Sequence, residues 1–460
     1  MVPDPPAPAS PTAPPGQLLQ LLGVSFGIAG AVGGTIGAGI LRTPGLVAAQ
    51  LGQPILIMAV WLIGGLYALL GANVLAELGA SLPLAGGWAV HARRAFGPGV
   101  GFAVGWTDWI GHCVGIAWVA VTIGEVVDDL LPATWQAQLP LGEQGIAVAV
   151  LVLLALIQRL GLRAAGTSQN VLSLVKALAF LGLVVACFSL QPDPTRLANL
   201  PTAVLPTPSA ADLAIGVVLA LQAVITTYDG WHSPLYFAEE FEAPERDLPR
   251  SLIGGVLAVL VLYGLINLAM LRVLPVPQLA ASNLAVADAA AALFGAAGRQ
   301  GITVLALVSL VGLINASIMA APRVLYGLAR DGMITPALAR VNAGGTPSTA
   351  LLLTTLASVA LVLTGSFSLL LGMAAFLYVA LYLSGFSALL SLRWREPDAA
   401  RPYRAWGSPW SVLIVLAGSL AFLLGALLSD PGGSLWALAL IAASLPLRPW
   451  LGGSAQESPP

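Results

Sequence analysis

The chain has 460 residues, of which 58% are hydrophobic and 9% charged, with mean hydropathy +0.89. An ordinary soluble domain carries about 25% charged residues, so this composition sets aside a string of soluble domains in favour of one bundle of lipid-spanning helices. A net charge of −2, with arginines scattered singly, leaves no basic surface for a nucleic-acid backbone.

Residues 1–18 read as a disordered, Pro-rich tail. They hold one charge before residue 20, Asp4, and lack the basic start of a secretory signal. Apolar runs of membrane length then recur at 19–48, 53–81, 99–131, 143–160, 165–190, 212–240, 251–274, 299–329, 347–364, 369–391, 408–429 and 433–450. Twelve spans make residues 19–450 a single all-α integral membrane domain, with a short polar tail over 451–460. Cys113 and Cys187 lie inside apolar runs, placed neither as a disulfide staple nor as a metal pair.

Arginine sets the expected orientation, because cytoplasmic loops collect positive charge. Arg93, Arg94, Arg159, Arg163, Arg246, Arg250, Arg323, Arg330, Arg340, Arg393, Arg395, Arg401, Arg404 and Arg448 all fall on one side, against Arg42, Arg196, Arg272 and Arg299 on the other. Both termini are therefore expected in the cytoplasm.

The first span contains Gly33-Gly34-Thr35-Ile36-Gly37-Ala38-Gly39, where each glycine costs a helix about 1 kcal/mol relative to alanine. The run reads either as an unwound stretch lining a cavity or as small residues for close helix packing. The sixth span contains Thr226-Thr227-Tyr228-Asp229-Gly230-Trp231-His232-Ser233-Pro234, in which Ser233 and Pro234 resemble the start of a second half-helix; a simple proline kink is the alternative. Two breaks at matching places of two five-helix sets are the arrangement of many secondary transporters, with the substrate at the breaks. There the N–H groups of Gly37, Ala38 and Gly39 favour a carboxylate, and the carbonyls of Thr35, Ile36, Tyr228 and Gly230 an ammonium group, a pairing that suits an amino acid.

Lys176, the sole lysine, lies about 16 Å along the fifth span, which places it near the midplane rather than at a snorkelling distance. A role in coupling is expected, either in place of a sodium ion between the first and eighth spans or as a proton carrier. Asp229 reads equally as a helix cap and as a ligand contact. Glu77, Asp108, His112 and Glu125 are further intramembrane candidates, each also explicable as a satisfied polar contact, and His232 is a weaker one. The three histidines do not cluster as metal ligands, and Gly23-Val24-Ser25-Phe26-Gly27 opens an apolar helix rather than a nucleophile elbow. No metal, cofactor or catalytic nucleophile is expected.

Four motifs in order carry a family likeness: Gly34-Thr35-Ile36-Gly37-Ala38-Gly39-Ile40-Leu41 with Pro44; Ala76-Glu77-Leu78-Gly79 with Pro83, Gly86-Gly87 and Ala95-Phe96-Gly97-Pro98; Tyr228-Asp229-Gly230-Trp231 with Glu239-Glu240, Pro244, Arg246 and Leu248-Pro249-Arg250; and Arg323-Val324-Leu325-Tyr326 with Ala329-Arg330-Asp331-Gly332. Over residues 20–405 the chain resembles the amino acid–polyamine–organocation (APC) superfamily, and within it the L-type amino acid transporters and their bacterial relatives. The resemblance implies a 5+5 inverted-repeat permease of a bacterial plasma membrane that moves amino acids by alternating access, through proton symport or exchange, with Lys176 where sodium-coupled relatives hold a cation. It implies substrate contacts at Thr35, Ile36, Gly37, Ala38, Gly39, Thr226, Tyr228, Asp229, Gly230 and Trp231. Ala38 departs from the family's serine, and Thr226 from a gating phenylalanine of animal relatives, so selectivity does not carry over. Animal members bond a partner glycoprotein through a cysteine between spans 3 and 4; residues 131–143 contain none, and no such subunit is expected. Rival readings are a polyamine or other organic-cation carrier with Asp229 as the cation partner, and a polytopic channel, receptor or membrane enzyme.

Overall fold

The computed structural model describes residues 18–37, 39–132, 134, 142–205, 209–364 and 367–451. Both expected tails, apart from Leu18 and Leu451, lie outside them, as do Ala38 and most of 131–143. Each of the twelve apolar runs is helical. Span 1 is Val24–Thr35 followed by Gly39–Leu51, bent by 50° at the join. Spans 2 to 5 are Pro54–Ser81, Pro98–Leu130, Gly142–Arg159 and Leu162–Ser189. Span 6 is Ala210–Tyr228, then a turn, then the 3-10 segment Ser233–Glu240. Spans 7 to 12 are Pro244–Val273, Ala296–Arg330, Ser348–Thr364, Phe367–Arg395, Trp410–Ser429 and Pro431–Leu451.

Among the described residues, nine helices are individually long and apolar enough to cross a bilayer, and the bent pair makes ten. The helices of the two remaining runs do not pass that test by themselves: Ser348–Thr364 is a shorter apolar helix of 17 residues, and Pro431–Leu451 has 21 residues. Proline at the first turn starts spans 2, 3 and 7, where its missing N–H costs nothing. A capping box between Ser209 and Asp212 starts span 6. Spans 2 and 7, which correspond in the two sets of five, pack along one another, and span 1 packs on spans 5, 7 and 8.

The arginines that fix the expected orientation are also mortar. Arg393 and Arg401 both hold the buried Glu77 carboxylate, which in addition accepts the Ala405 N–H at 2.7 Å. Arg93 pairs with Asp331, Arg94 with Glu396 at 2.8 Å, Arg330 with Glu239 at 2.6 Å, and Arg323 with Glu240 at 3.1 Å. The last pair is almost wholly buried and ties the end of span 6 to span 8. All of these contacts lie on the face where span 1 begins and span 12 ends.

Candidate functional site

Glycine decides how the two breaks meet. Gly230 adopts φ +102°, a conformation other residues avoid, and a Cβ on it would run into the Gly34 carbonyl. A Cβ on Gly34 would in turn sit 2.9 Å from the Gly230 oxygen. The backbones of spans 1 and 6 therefore touch at their breaks. Unwinding and close packing, which the sequence offers as alternatives, occur together.

Lys176 enters this junction from span 5. Its ammonium group is fully buried and donates to the carbonyls of Gly33 at 3.0 Å and Ile36 at 2.9 Å, two acceptors freed where the first half of span 1 ends. Span 8 makes room for it at Gly312, whose Cβ would lie 2.7 Å from Nζ. A lipid-buried charge needs such partners, and here backbone dipoles supply them. Tyr263 of span 7 donates to the Thr35 carbonyl at 3.0 Å and holds the same strand of backbone from the other side.

Beyond the junction lies a cavity of about 460 Å³, within the size range of small-molecule sites. Its walls come from the second halves of spans 1 and 3, the first half of span 6, the middle of span 8 and the start of span 10, and its floor from Gly34 and Thr35 of span 1 and His232, Ser233 and Tyr236 past the span 6 break. The outer halves of spans 1 and 6 run from the breaks towards the face opposite the start of span 1, and the second half of span 3 and the start of span 10 lie on that same side. On the terminal face, Phe26 meets Phe237 edge-on at 5.2 Å, next to the Arg323–Glu240 pair.

Six of the ten expected substrate contacts line the cavity: Thr35, Gly37, Gly39, Thr226, Asp229 and Gly230. Ile36 is fully buried with its carbonyl engaged by Lys176. Tyr228 turns away, donating to the Trp61 carbonyl at 3.3 Å and packing on Tyr263. Trp231 packs behind the wall beside His232 and Tyr382. Ala38 lies outside the described residues. The carbonyls of Thr35, Ile36 and Gly230 already accept within the protein, the last from the Ser233 N–H at 3.1 Å, so any ligand ammonium group uses their second lone pairs.

Asp229 is the one carboxylate among the described lining residues. Tyr382 of span 10 donates to it, and His232 Nδ1 lies 4.0 Å away. Deeper in the wall, Asp108 and His112 of span 3, four residues apart on one helix face, pair at 3.2 Å, and Tyr236 donates to Asp108 at 2.8 Å. His112, Tyr236 and Tyr378 face the cavity. Sequence reasoning alone misses Tyr236, Tyr378 and Tyr382. The available signal is the i, i+4 spacing of Tyr378 and Tyr382 in an apolar span, which puts two hydroxyls on one face. Thr43 and Thr227, whose hydroxyls meet at 2.7 Å between the outer halves of spans 1 and 6, share only their position near each break.

Comparison with known proteins identifies the family. The chain is 27% identical over 419 residues to the serine/threonine exchanger SteT of Bacillus subtilis, covering 90% of this chain and 92% of that protein. It is 27% identical over 386 residues to the mouse large neutral amino acids transporter small subunit 2, covering 81% and 70%, and 25% identical over 427 residues to the mouse b(0,+)-type amino acid transporter 1, covering 90% and 84%. Residues 17–443 match the profile of one family throughout, so the chain belongs to the amino acid permease family, whose curated relatives here are transporters rather than enzymes.

Proposed function

We propose that the chain is a sodium-independent secondary transporter that carries amino acids by alternating access, by proton symport or by exchange. The observation that carries this reading is the Lys176 ammonium group, donating to Gly33 and Ile36 and packed against Gly312. A fixed cation there occupies the junction of spans 1, 5 and 8, where an unwound carbonyl pair otherwise suits a metal cation. The substrate's carboxylate meets the N-terminus of the half-helix that starts at Gly39. Its ammonium group lies near Asp229 and the Gly230 carbonyl. Thr226 sits at the cavity wall, where a side chain reads the substrate's own.

The arginine asymmetry supports a plasma-membrane orientation with both termini cytoplasmic, so the cavity faces outward. Cys113 and Cys187 are both buried, in line with a chain that works without a disulfide-linked glycoprotein.

Proteoliposomes holding the full chain test the reading, with labelled amino acids and polyamines offered under a sodium gradient, a proton gradient or internal amino acid. Amino-acid uptake indifferent to sodium is expected. Lys176→Ala removes two hydrogen bonds from a charged donor, each worth about 1.5–3 kcal/mol, and uptake falls at least about tenfold. A requirement for sodium, or undiminished uptake by Lys176→Ala, overturns it. Asp229, the lining carboxylate, favours an organic-cation substrate as the second reading; on that reading polyamine uptake is present and Asp229→Asn abolishes it, whereas on the first no polyamine moves and Asp229→Asn weakens amino-acid uptake.

A further inference from the structure

We propose that the Asp108–His112 pair is a proton-binding site in the cavity wall, and that the proton it carries travels with the substrate. The inference rests on the transporter reading above and deepens it by choosing symport over pure exchange.

His112 Nδ1 faces two oxygens, the Asp108 backbone carbonyl at 2.9 Å and its Oδ1 at 3.2 Å. Both are acceptors, so in the neutral ring Nδ1 carries the hydrogen and Nε2 is left to take a proton. His112 lines the cavity, and Asp108 lies wholly buried behind it. Uptake is balanced simply: water in the cavity gives a proton to Nε2, the imidazolium pairs with the Asp108 carboxylate, and the same proton leaves to water on the other side. Asp108 keeps a second oxygen, Oδ2, buried without a donor, which marks a carboxylate not fully satisfied by the fold alone.

The surroundings suit a mobile charge. Across the pair stand Tyr236, His232 and Asp229 from span 6 and Tyr378 and Tyr382 from span 10, with His112 edge-on to Tyr236 at 4.8 Å and to Tyr378 at 6.2 Å. Among the described residues no lysine or arginine forms an ion pair with Asp108, His112 or Asp229, so no fixed cation neutralises the carboxylates in advance. The pair also has a lever. Tyr236, which donates to Asp108 at 2.8 Å and accepts from Trp88 Nε1 at 3.2 Å, sits on the 3-10 segment just past the span 6 break. A change of charge on the pair therefore acts on the backbone that cradles the substrate.

The test compares accumulation of a transported amino acid in proteoliposomes with and without an inward proton gradient. One proton per substrate lets a gradient of about one pH unit raise accumulation by up to about tenfold. The wild-type chain is expected to approach that ratio, and His112→Gln and Asp108→Asn to fall to a ratio of about one, whatever their absolute rates. Wild-type exchange that ignores the gradient, or full gradient response in His112→Gln, overturns the proposal while leaving the transporter reading standing. If no amino acid moves at all, that reading fails, and histidine-selective NMR of the solubilised chain decides this one. With three histidines, His112 is assigned by its loss in His112→Gln. Its resonance moving between about pH 5 and 8 supports a proton site, and a resonance fixed across that range overturns it.

Discussion

Gly230 sits where a side chain has no room and in a conformation a side chain resists. Alanine there collides with the Gly34 carbonyl and stores about 1–3 kcal/mol of backbone strain. Gly230→Ala is therefore expected to lower the detergent melting temperature and to abolish uptake. Gly182 is the control, since a Cβ on it meets nothing within 4 Å in the helix of span 5. Gly182→Ala is expected to leave stability equal or slightly raised, by up to about 1 kcal/mol. Equal melting of the two variants would show that the breaks do not touch as described. At this scale the sequence is informative where a residue is out of place in lipid: a lone lysine, or an acid beside a glycine. It does not foretell that Tyr228 and Trp231, expected at the substrate, pack behind the cavity wall while their neighbours in the motif line it. Which way a side chain points at a helix break follows from packing against spans 2, 7 and 10, and no local pattern encodes that.

Helices in lipid announce themselves, because the bilayer dictates their length and forbids an unpaired backbone. That is why most ends of the twelve runs fall within three residues of the helices, with the start of span 7, expected at 251 and found at Pro244, the widest miss. What lies between them is a different matter. The short helices Trp88–Phe96 and Ala285–Phe294 have no membrane to fix their length, and the segment after the span 6 break is a 3-10 helix rather than the half-helix that Ser233 and Pro234 suggest. Its reason is visible in its contacts: the Glu240 carbonyl accepts from Leu21 and Leu22, while its carboxylate meets Arg323. This segment is a clasp between the entry to span 1 and span 8. Removing one member of a buried ion pair strands the other, at about 3–5 kcal/mol. Glu240→Gln is thus expected to lower thermal stability sharply, and Glu240→Leu with Arg323→Met to recover most of it. Failure of the double variant to recover would mean that the pair's hydrogen bonds, rather than its stranded charge, hold the clasp.

The whole molecule has one open side and one clasped side, and this asymmetry makes its state testable. Thr226 lines the cavity and is exposed, whereas Cys113 and Cys187 are buried, so Thr226→Cys introduces one reactive thiol on a quiet background. On the proposed orientation, with the termini in the cytoplasm, a membrane-impermeant maleimide added outside intact cells is expected to label it. Ser173→Cys, buried on span 5 against the Ala29 carbonyl, is expected to stay unlabelled from either side. A transported amino acid should slow labelling of Thr226→Cys, both by occupying the cavity and by drawing the population towards the state open on the other face. Labelling from the cytoplasmic side alone would reverse either the orientation or the open face, and a reagent-accessible Glu240 region in the same cells would decide which. On the proposed alternating-access reading, the clasp at Glu240 and Arg323 opens as the walls above Thr226 close, so Glu240→Gln should also shift labelling at Thr226 downwards.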